Sequence, residues 1–581
     1  MNNVVLRSAV LMTIVALVAC SPSSPAQSSR AGQTGQTRAE GPATSAQKTI
    51  TIGMDEDIAN LWDTIQSGGG TGAREMANMV NQHFVAITSD GSPQPRLLAE
   101  LPSFDKGTWR LMPDGRMETT YKLRSNVSWH DGAPFTAADV LFSWQIGRDP
   151  EVPNANQEAL KVLEQMETPD ASTVVATWST PYPFADRLEH RELYPLPAHL
   201  LERQYREAKE SFLAQPFFNQ DFVGLGPYRV NRWESGSHIE LSAFDKFFLG
   251  RPKIDSVRIQ FIPDSNTMLA NLRARSLNSM LTLGSAPDFD AMMGLKRDWE
   301  AERYGTVLMD PISYRFVEVQ QYHNPSPPDL TDRRVRTALL LGIDRPELTK
   351  VAFGEFGVTA DSWLHPSFAN YQLLQDAMTR YPTDKRRAMS LLQEAGWQMG
   401  SGGVLEKAGR QFTLTMRDSD GERDANIIAS DWKELGIVGS YEQRNAVALR
   451  DRQDRTTFSG VDVSSNPMGL ASVTRKTATY NIAILENRWT GTNRGGYSNP
   501  AWDELDHRLL VSMDDKARLD VEREMLRVYT ADLPLLPLYF RNDLVPQSGG
   551  LTGVVANTGT AHRGFILHSW NIADWDLQPI R

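Results

Sequence analysis

The 581-residue chain contains a single cysteine, Cys20, and this limits how its fold can be stabilised. One cysteine cannot form an intramolecular disulfide, and it cannot supply the several thiolates of a cysteine-based zinc or iron–sulfur site. The chain is also well beyond the ~250–300 residues at which one hydrophobic core stops growing. We therefore expect two or three domains that are held together by apolar packing alone.

Cys20 also ends an apolar segment near the N-terminus. Arg7 precedes a mostly apolar run from Ala9 to Ala19, and serine and proline residues follow the cysteine. The run is too short to cross a hydrocarbon core of ~30 Å, which takes roughly 20 residues. The pattern predicts a bacterial lipoprotein signal peptide over residues 1–19, with Cys20 as the lipidated first residue of the mature chain. An unmodified cysteine beside an ordinary signal segment is the alternative.

The segment after the cysteine has the composition of a linker. Between Ser21 and Gln47 there is no leucine, isoleucine, valine, methionine or aromatic residue. Such a stretch cannot bury enough apolar surface to offset the entropy cost of ordering it, so residues 20–47 are predicted to form a disordered tether that spans ~30 Å. We expect the folded part to lie outside the cytoplasm, lipid-anchored to a bacterial membrane on its periplasmic or cell-surface side.

Charge and composition exclude some classes of partner. The formal net charge is −11, and the chain contains no basic run. A nucleic-acid-binding surface needs clustered lysine and arginine, so we expect no nucleic-acid partner. Beyond the N-terminal segment, no stretch has the 18 uninterrupted apolar residues of a membrane-spanning helix.

Strand-like and helix-like patterns alternate along the rest of the chain. Residues 48–53 alternate polar and apolar side chains as a strand does, and residues 332–343 have the spacing of an amphipathic helix. Residues 127–130 are predicted as a short strand, and Thr136 with Asp139 as the capping box of the following helix. Mixed alternation of this kind predicts layered α/β architecture.

No catalytic constellation is visible in the sequence. The chain lacks a zinc-protease histidine pair, a Gly-x-Ser-x-Gly nucleophile motif and a phosphate-binding P-loop. Its ten histidines are scattered, and no carboxylate pair is singled out by its spacing. We therefore expect a binding protein rather than an enzyme, with no cofactor and no metal.

Nine segments, in order along the chain, resemble one known family. They are Gly91–Glu100, Tyr121–Arg124, Trp129–Val140, Gly224–Tyr228, Phe248–Asp255, Asp332–Arg345, Leu391–Trp397, Gly496–Pro500 and Leu536–Tyr539. Together they are similar to the extracytoplasmic solute-binding proteins of ABC importers, in the class of the oligopeptide- and dipeptide-binding proteins. The resemblance covers the chain from Lys48 onward.

The resemblance implies a fold and a division into domains. The fold is α/β and bilobed, of the periplasmic-binding-protein type, with an extra subdomain on the first lobe. The implied parts are a first lobe of residues 48–75, 224–308 and 546–581, an extra subdomain of residues 76–223, and a second lobe of residues 309–545.

The resemblance also implies a function. The chain would capture a peptide or another organic solute between its lobes, as a monomer, and deliver it to an ABC permease whose ATPase subunits supply the energy. Closure of the lobes around solute would be a hinge motion.

The segment that binds the peptide amino terminus in this family departs from the family pattern here. Peptide-binding members carry an aspartate in a Gly-Trp-x-x-Asp-like stretch, whereas Ser464, Ser465 and Asn466 occupy the matching region of this chain. A peptide α-amine would lose a charge-assisted partner there, which usually costs more than ~1 kcal/mol. The solute class therefore stays open between peptide, modified peptide, oligosaccharide and another organic solute.

The candidate ligand contacts are polar and aromatic residues of segments expected to line the cleft. They are Trp62, Asp63, Gln320, Tyr322, Asn324, Ser464, Ser465, Asn466, Trp489 and Tyr497. Aromatic rings at these positions can stack on a sugar or peptide plane, although most tryptophans serve packing.

Two other functions are consistent with a secreted binding fold. One is a hydrolase acting on envelope material, which would need an acid/base or nucleophile set in the cleft. The other is a sensory or chaperone-like binding protein that works without a permease.

Overall fold

The computed structural model describes residues 47–581 except for 59, 62–70, 88–92, 153–157, 189–192, 282–286, 419–421, 444–450, 555–571 and 579–581. Residues 47–581 form one compact unit.

The first sheet combines one strand from the beginning of the described chain with four strands from residues 228–281. Its strands, in spatial order, are β11 (Ser279–Leu281), β1 (Thr49–Met54), β10 (Ser256–Phe261), β9 (His238–Ala243) and β8 (Tyr228–Glu234). Strand β1 pairs in parallel with β10 and β11, and the other neighbours are antiparallel. Alternate residues of β1, such as Ile50 and Ile52, are fully buried because one face of each strand packs on the core.

A separate four-stranded antiparallel sheet lies within residues 76–223. Its order is β4 (Trp109–Leu111), β5 (Met117–Lys122), β7 (Thr173–Trp178) and β6 (Leu163–Asp170). Met117, Tyr121 and Trp178 belong to a core of its own. The hairpin β2 (Val85–Ile87) and β3 (Pro93–Pro95) also falls in this part of the chain.

The second large sheet has six strands. Their order is β13 (Val358–Thr359), β20 (Leu535–Ser548), β12 (Gly305–Val319), β19 (Val461–Pro467), β17 (Thr413–Asp418) and β18 (Val438–Tyr441). Val317 and Val319 of β12 contribute to the core on one face of this sheet, and Tyr314 and Phe316 to the core on the other. Both faces are therefore covered, as expected for the centre of an α/β layer structure.

Two strands take part in the packing of both large sheets. The first residues of β12 and the last residues of β20 pack beside the first sheet, where Val307 and Leu544 share a core with β11. The opposite halves of the same strands form the centre of the six-stranded sheet. The antiparallel β12–β20 pair is thus a continuous connection between the two bodies.

Helices fill the faces of these sheets. They are α1 (Thr71–Val80), α2 (Ala137–Arg148), α3 (Glu158–Val162), α4 (Ala198–Glu207), α5 (Ser265–Arg273), α6 (Phe289–Ala301), α7 (Arg333–Gly342), α8 (Arg345–Phe353), α9 (Tyr371–Leu374), α10 (Lys385–Glu394), α11 (Arg423–Glu434), α12 (Arg452–Thr456), α13 (Leu470–Thr477), α14 (Pro500–Val511) and α15 (Asp515–Asp532). The remaining strands form small sheets: β14 (Gln398–Met399), β15 (Leu405–Lys407) and β16 (Arg410–Gln411), and the pair β21 (Leu551–Thr552) and β22 (Asp576–Leu577).

The local predictions can be compared with these elements. Strand β1 and helix α7 lie within a residue or two of the predicted segments. Asp139 accepts a hydrogen bond from the Thr136 backbone amide at 2.8 Å, which is half of the predicted capping box. The predicted strand at residues 127–130 is wrong, because only an isolated bridge between Ser128 and Pro134 forms there.

Candidate functional site

The direction of the first sheet determines which of its edges faces the second. At the end of β20, the Ser548 amide donates to the Asn278 carbonyl at 3.0 Å. Asn278 in turn accepts from the Thr51 amide at 2.8 Å, near the beginning of β1. Strand β20 runs from the six-stranded sheet to this point. The amino ends of β1, β10 and β11 are therefore the ends that lie farther from the six-stranded sheet. Their carboxyl ends therefore point toward the six-stranded sheet.

The edge of the six-stranded sheet that faces the first follows from strand register. Strand β12 enters the sheet at Ser313, which pairs with Pro467 at the end of β19 and with Arg541 of β20. Strand β17 runs parallel to β19, so its last residue, Asp418, lies at the same edge. We call this the interlobe edge, and ligands of open α/β sheets bind beside such carboxyl ends.

A buried arginine is central to the interlobe edge. The Arg315 side chain is only 2% exposed and donates from Nε to Asp424 at 2.9 Å. Its other nitrogens donate to Asp418 and, at 3.4 Å, to the Ser465 hydroxyl. A guanidinium out of water is costly unless it is paired, and two carboxylates compensate this one.

Asp424 is held in its ionised form. Burial raises the pKa of Asp424, but the charge of Arg315 and a 2.5 Å hydrogen bond from the Tyr539 hydroxyl outweigh this, so the pKa lies below its usual value. Asp424 also lies in the first turn of α11, where the helix dipole favours a negative charge. The result is a rigid polar array.

Ser465 lies between two arginines. The Arg541 guanidinium donates to its hydroxyl at 3.1 Å, from the strand on the far side of β12. The nearby Asn466 amide nitrogen is buried and has no hydrogen-bond partner among the described residues. Buried donors are normally satisfied, so this nitrogen is a candidate contact for a bound molecule.

The first sheet supplies the opposite wall. Residues that follow β1 line a cavity of about 230 Å³ beside the β8–β9 turn. The cavity is lined by Asp57, Ile58, Asn219, Gln220, Trp233 and Ser235. Both sheets therefore carry polar groups beyond the ends of their strands, and the β12–β20 pair joins the two sheets.

Comparison with known families identifies the class of protein. A model described as "Bacterial extracellular solute-binding proteins, family 5 Middle" matches residues 102–468, which is more than half of the chain. The chain belongs to this family. Its members are solute-binding proteins that work outside the cell, as the sequence predicted.

Individual relatives are similar over most of their length. The oligopeptide-binding protein AppA of Bacillus subtilis (strain 168) is 24% identical over 450 residues, which cover 76% of this chain and 78% of that protein.

Solved structures share the fold. An oligopeptide-binding protein from Thermus thermophilus, crystallised with a pentapeptide, has a TM-score of 0.73 at 21% identity and covers 91% of this chain and 96% of its own. NikZ from Campylobacter jejuni, in complex with Ni(L-His), has a TM-score of 0.71 at 21% identity, with coverage of 91% and 99%. These are bilobed binding proteins, and the predicted α/β fold is confirmed.

Two features are absent from the part of the chain that the structure describes. Within it, no helix is both long enough and apolar enough to traverse a bilayer. No group of three or more histidine, cysteine, aspartate or glutamate side chains in that part is arranged to hold a metal ion.

Only some of the predicted ligand contacts lie at the interlobe edge. Ser464, Ser465 and Asn466 are in the last residues of β19, at that edge. Gln320, Tyr322 and Asn324 follow the end of β12 at Val319, which pairs with Val461 at the opposite edge. The structure therefore does not bring the two groups together.

Gln320 has a structural environment. It is fully buried, and its amide nitrogen donates to the Thr456 carbonyl at 2.9 Å. Its amide oxygen accepts from the backbone amides of Tyr322 and His323, each at 3.0 Å. The side chain thus fixes the turn after β12.

An aromatic group forms beside that turn. The His323 ring lies 4.9 Å from the Tyr322 ring and 5.3 Å from the Trp489 ring, between centroids. Tyr322 is 56% exposed, and Asn324 beside it is also exposed. The predicted residues Tyr322 and Trp489 are therefore neighbours, but on the edge of the sheet away from the first lobe.

The remaining candidates are placed differently. Tyr497 is buried, and its hydroxyl donates to Asp532 at 2.6 Å, which is an ordinary packing role. Trp62, Asp63 and Cys20 lie outside the described residues.

Sequence reasoning missed the charged residues of both walls. Arg315 interrupts an apolar strand run, and such a charge inside a central strand is a usable signal for a buried polar site. Asp57 follows a buried strand by three residues, which is typical of binding residues in α/β proteins.

Proposed function

We propose that this chain is the lipid-anchored solute-binding subunit of an ABC importer. It captures a peptide or another organic solute between its two lobes and delivers it to a membrane permease, whose ATPase subunits drive transport. The observation that carries the proposal is the pair of polar walls on two sheets joined by the continuous strands β12 and β20. Two bodies connected by a strand pair can close about it when a solute contacts both.

The proposed lobes correspond to the observed sheets. A first lobe of residues 48–75, 224–308 and 546–581 contains the five-stranded sheet, and residues 76–223 contain the four-stranded one. A second lobe of residues 309–545 contains the six-stranded sheet apart from the ends of β12 and β20. A hydrophobic core formed only by residues of the second lobe supports its separation from the rest. The four-stranded sheet has a core of its own, but residues of 76–223 such as Met76 and Phe142 also pack in the core of the five-stranded sheet, so the extra subdomain is closely joined to the first lobe.

The proposed contacts on the second lobe are Ser464, Ser465 and Asn466, with the guanidinium of Arg541 beside them. Trp62 and Asp63 stay proposed contacts of the first lobe. Tyr322, Asn324 and Trp489 are dropped, because they follow the edge of the sheet that faces away from the first lobe. Gln320 is dropped because it follows the same opposite edge, and Tyr497 because it is buried in a hydrophobic core with its hydroxyl on Asp532.

The class of solute is proposed as organic and of small to peptide size. AppA is named for oligopeptide binding, whereas NikZ was solved with a metal–histidine complex, so the shared fold is compatible with either kind. Here Ser464, Ser465 and Asn466 occupy the region where peptide-binding members carry the acid, and Arg315 and Arg541 donate to Ser465. The second lobe therefore suits an acceptor-rich or anionic part of a solute more than a peptide amine.

Thermal unfolding against a solute panel tests this function. The purified full chain is heated with di- to hexapeptides, oligosaccharides and small organic acids and amines. A solute that binds only the native state adds ~2.7 kcal/mol at 100 times its dissociation constant, which appears as a raised Tm. No shift with any class, despite a cooperative transition, would contradict the proposal.

Matched variants locate the site. Asn466→Ala removes a buried donor at the interlobe edge, and we expect it to reduce the solute-induced shift. Tyr322→Ala removes an exposed ring at the opposite edge and is expected to leave the shift unchanged. The reverse result would return the site to the residues first predicted, and turnover of a panel member would favour the hydrolase instead.

The anchor is tested separately. The precursor should be lipidated at Cys20, and Cys20→Ser should move the protein from the membrane fraction to the soluble fraction. Retention of the variant on membranes would contradict a lipid anchor, since one acylated residue is its proposed basis.

A further inference from the structure

The cavity at the carboxyl end of the first sheet contains a carboxylate with one unused oxygen. Oδ2 of Asp57 accepts hydrogen bonds from the Ser235 hydroxyl at 2.8 Å and from the Gly236 amide at 2.7 Å. Its Oδ1 is buried and has no hydrogen-bond partner in the part of the chain that the structure describes. Buried oxygens without a partner are rare in native proteins, so Oδ1 of Asp57 is a candidate acceptor for a bound molecule.

The orientation of the carboxylate is fixed by the hairpin beside it. Gly236 has a φ of +74° in the turn between β8 and β9, a conformation that glycine adopts without strain. This turn presents its amide to Asp57, and the Ser235 hydroxyl supplies the second donor. The position of Oδ1 is thus fixed before any ligand arrives, which reduces the entropy cost of binding.

The surroundings of Oδ1 favour a positive charge. Asp57 is the third of three consecutive acidic residues, after Asp55 and Glu56. Among the described residues, no ion pair of Asp57 with a lysine or arginine is formed, and Arg232 of β8 pairs with Glu234 instead. Trp233 lines the same cavity, and the indole face is the best of the aromatic partners for a cation.

We propose that this cavity is a subsite for an organic cation, an ammonium or guanidinium group carried by the transported solute. The inference rests on the proposed function, because it assigns part of the solute that the two lobes enclose. The cation donates to Oδ1 of Asp57 and lies against Trp233, while acceptor groups of the same solute lie toward Arg541 and Ser465. The solute then carries charge of both signs at separate positions.

The same features argue against a bare metal ion. Of the described residues that line the cavity, Asp57 alone carries a carboxylate, and the other polar lining groups are amides and a hydroxyl. Calcium usually takes six to eight oxygen ligands, including several carboxylates. A volume of about 230 Å³ is also several times the ~30 Å³ share of one water, so it fits a side chain rather than a single ion.

Matched probes that differ only in charge test the subsite. Arginine is compared with its neutral isostere citrulline, free and at each position of glycine tripeptides, by calorimetry on the full chain. We expect the arginine member of at least one pair to bind about tenfold more tightly, the range for a charge-assisted hydrogen bond. Asp57→Asn keeps an acceptor for Ser235 and Gly236 but removes the charge, and it should abolish the preference.

Controls separate the subsite from general electrostatics. Glu56→Gln makes the same change in net charge at an exposed neighbour and should retain the preference. A second readout is the fluorine NMR spectrum of protein labelled with 5-fluorotryptophan. The resonance of Trp233 is assigned as the one that is missing in Trp233→Phe. This resonance should shift when the arginine probe is added and should not shift with the citrulline probe.

The outcomes distinguish this inference from the proposed function. Binding of solutes without a charge preference, a preference that survives Asp57→Asn, or a response to calcium instead of arginine overturns the subsite alone. Absence of binding by every member of the wider panel overturns the proposed function, and the subsite with it.

Discussion

Two ionisable side chains of β12, Arg315 and Glu318, lie in the interior of the six-stranded sheet. Glu318 accepts from Lys476 at 2.7 Å and from the Gly495 amide at 2.9 Å. Burial raises the pKa of Glu318, but the charges of Lys476 and Arg494 outweigh it and hold the pKa below its usual value. Glu318 is therefore a buried carboxylate ion, and the stability of the fold depends on the positive charges that compensate it.

Removal of Lys476 should be strongly destabilising. Lys476→Met removes the hydrogen-bonded counter-ion of the buried Glu318 carboxylate and leaves it only the charge of Arg494. Loss of one member of a buried pair typically costs about 3–5 kcal/mol. The free energy of unfolding from urea titration measures the effect. In the double variant with Glu318→Gln the uncompensated charge is gone, so the loss should be smaller.

A surface pair is the control for this prediction. Lys516 pairs with Asp520 at 2.8 Å, but both side chains are more than half exposed. Lys516→Met should leave the free energy of unfolding nearly unchanged, because solvent screens exposed pairs. Equal losses in the two variants would show that the buried pair has no special role.

At the scale of elements, the β12–β20 pair determines how the two bodies are connected. The beginning of β12 and the end of β20 approach closely, and two glycines make this possible. A Cβ at Gly549 would overlap the Tyr304 carbonyl oxygen, and one at Gly305 would overlap the Gln547 carbonyl oxygen. Backbone atoms cannot move aside as the end of a flexible side chain can.

Gly549→Ala should therefore destabilise the protein. The added methyl group forces the two strands apart, and overpacking of this kind costs about 1–3 kcal/mol. The matched control is Gly402→Ala, where no described atom lies within 4 Å of the added Cβ. Urea titration of both variants compares them, and a neutral Gly549→Ala would contradict the close approach at this crossing.

Element prediction succeeded where local pattern was sufficient. Strand β1 and helix α7 were predicted from their periodicity. Strand β12 begins at Gly305, and local pattern does not predict its first half. Its first half contains Asp310, Pro311 and Ser313, which are poor strand formers, and it is extended because β20 pairs with it along its whole length.

For the whole molecule, the two-strand connection predicts closure on solute. Saturation with a bound solute should raise the free energy of unfolding and also reduce the radius of gyration measured by small-angle X-ray scattering. Asn466→Ala removes a proposed solute contact. At the same solute concentration, this variant should show a smaller increase in the free energy of unfolding and a smaller decrease in the radius of gyration. Stabilisation without compaction would contradict a hinge motion and favour a preformed closed state.

The sequence by itself determined the class of this protein. Local patterns predicted some of its strands and helices, and nine ordered segments resembled the family to which it belongs. The tertiary structure decided which residues form the candidate site. Arg315 meets Asp418 and Asp424, and Asp57 meets the β8–β9 turn, across separations that no local pattern encodes. Gln320 and Tyr322 were placed away from the first lobe for the same reason, because strand direction and register, rather than residue type, determine which edge of a sheet a side chain occupies.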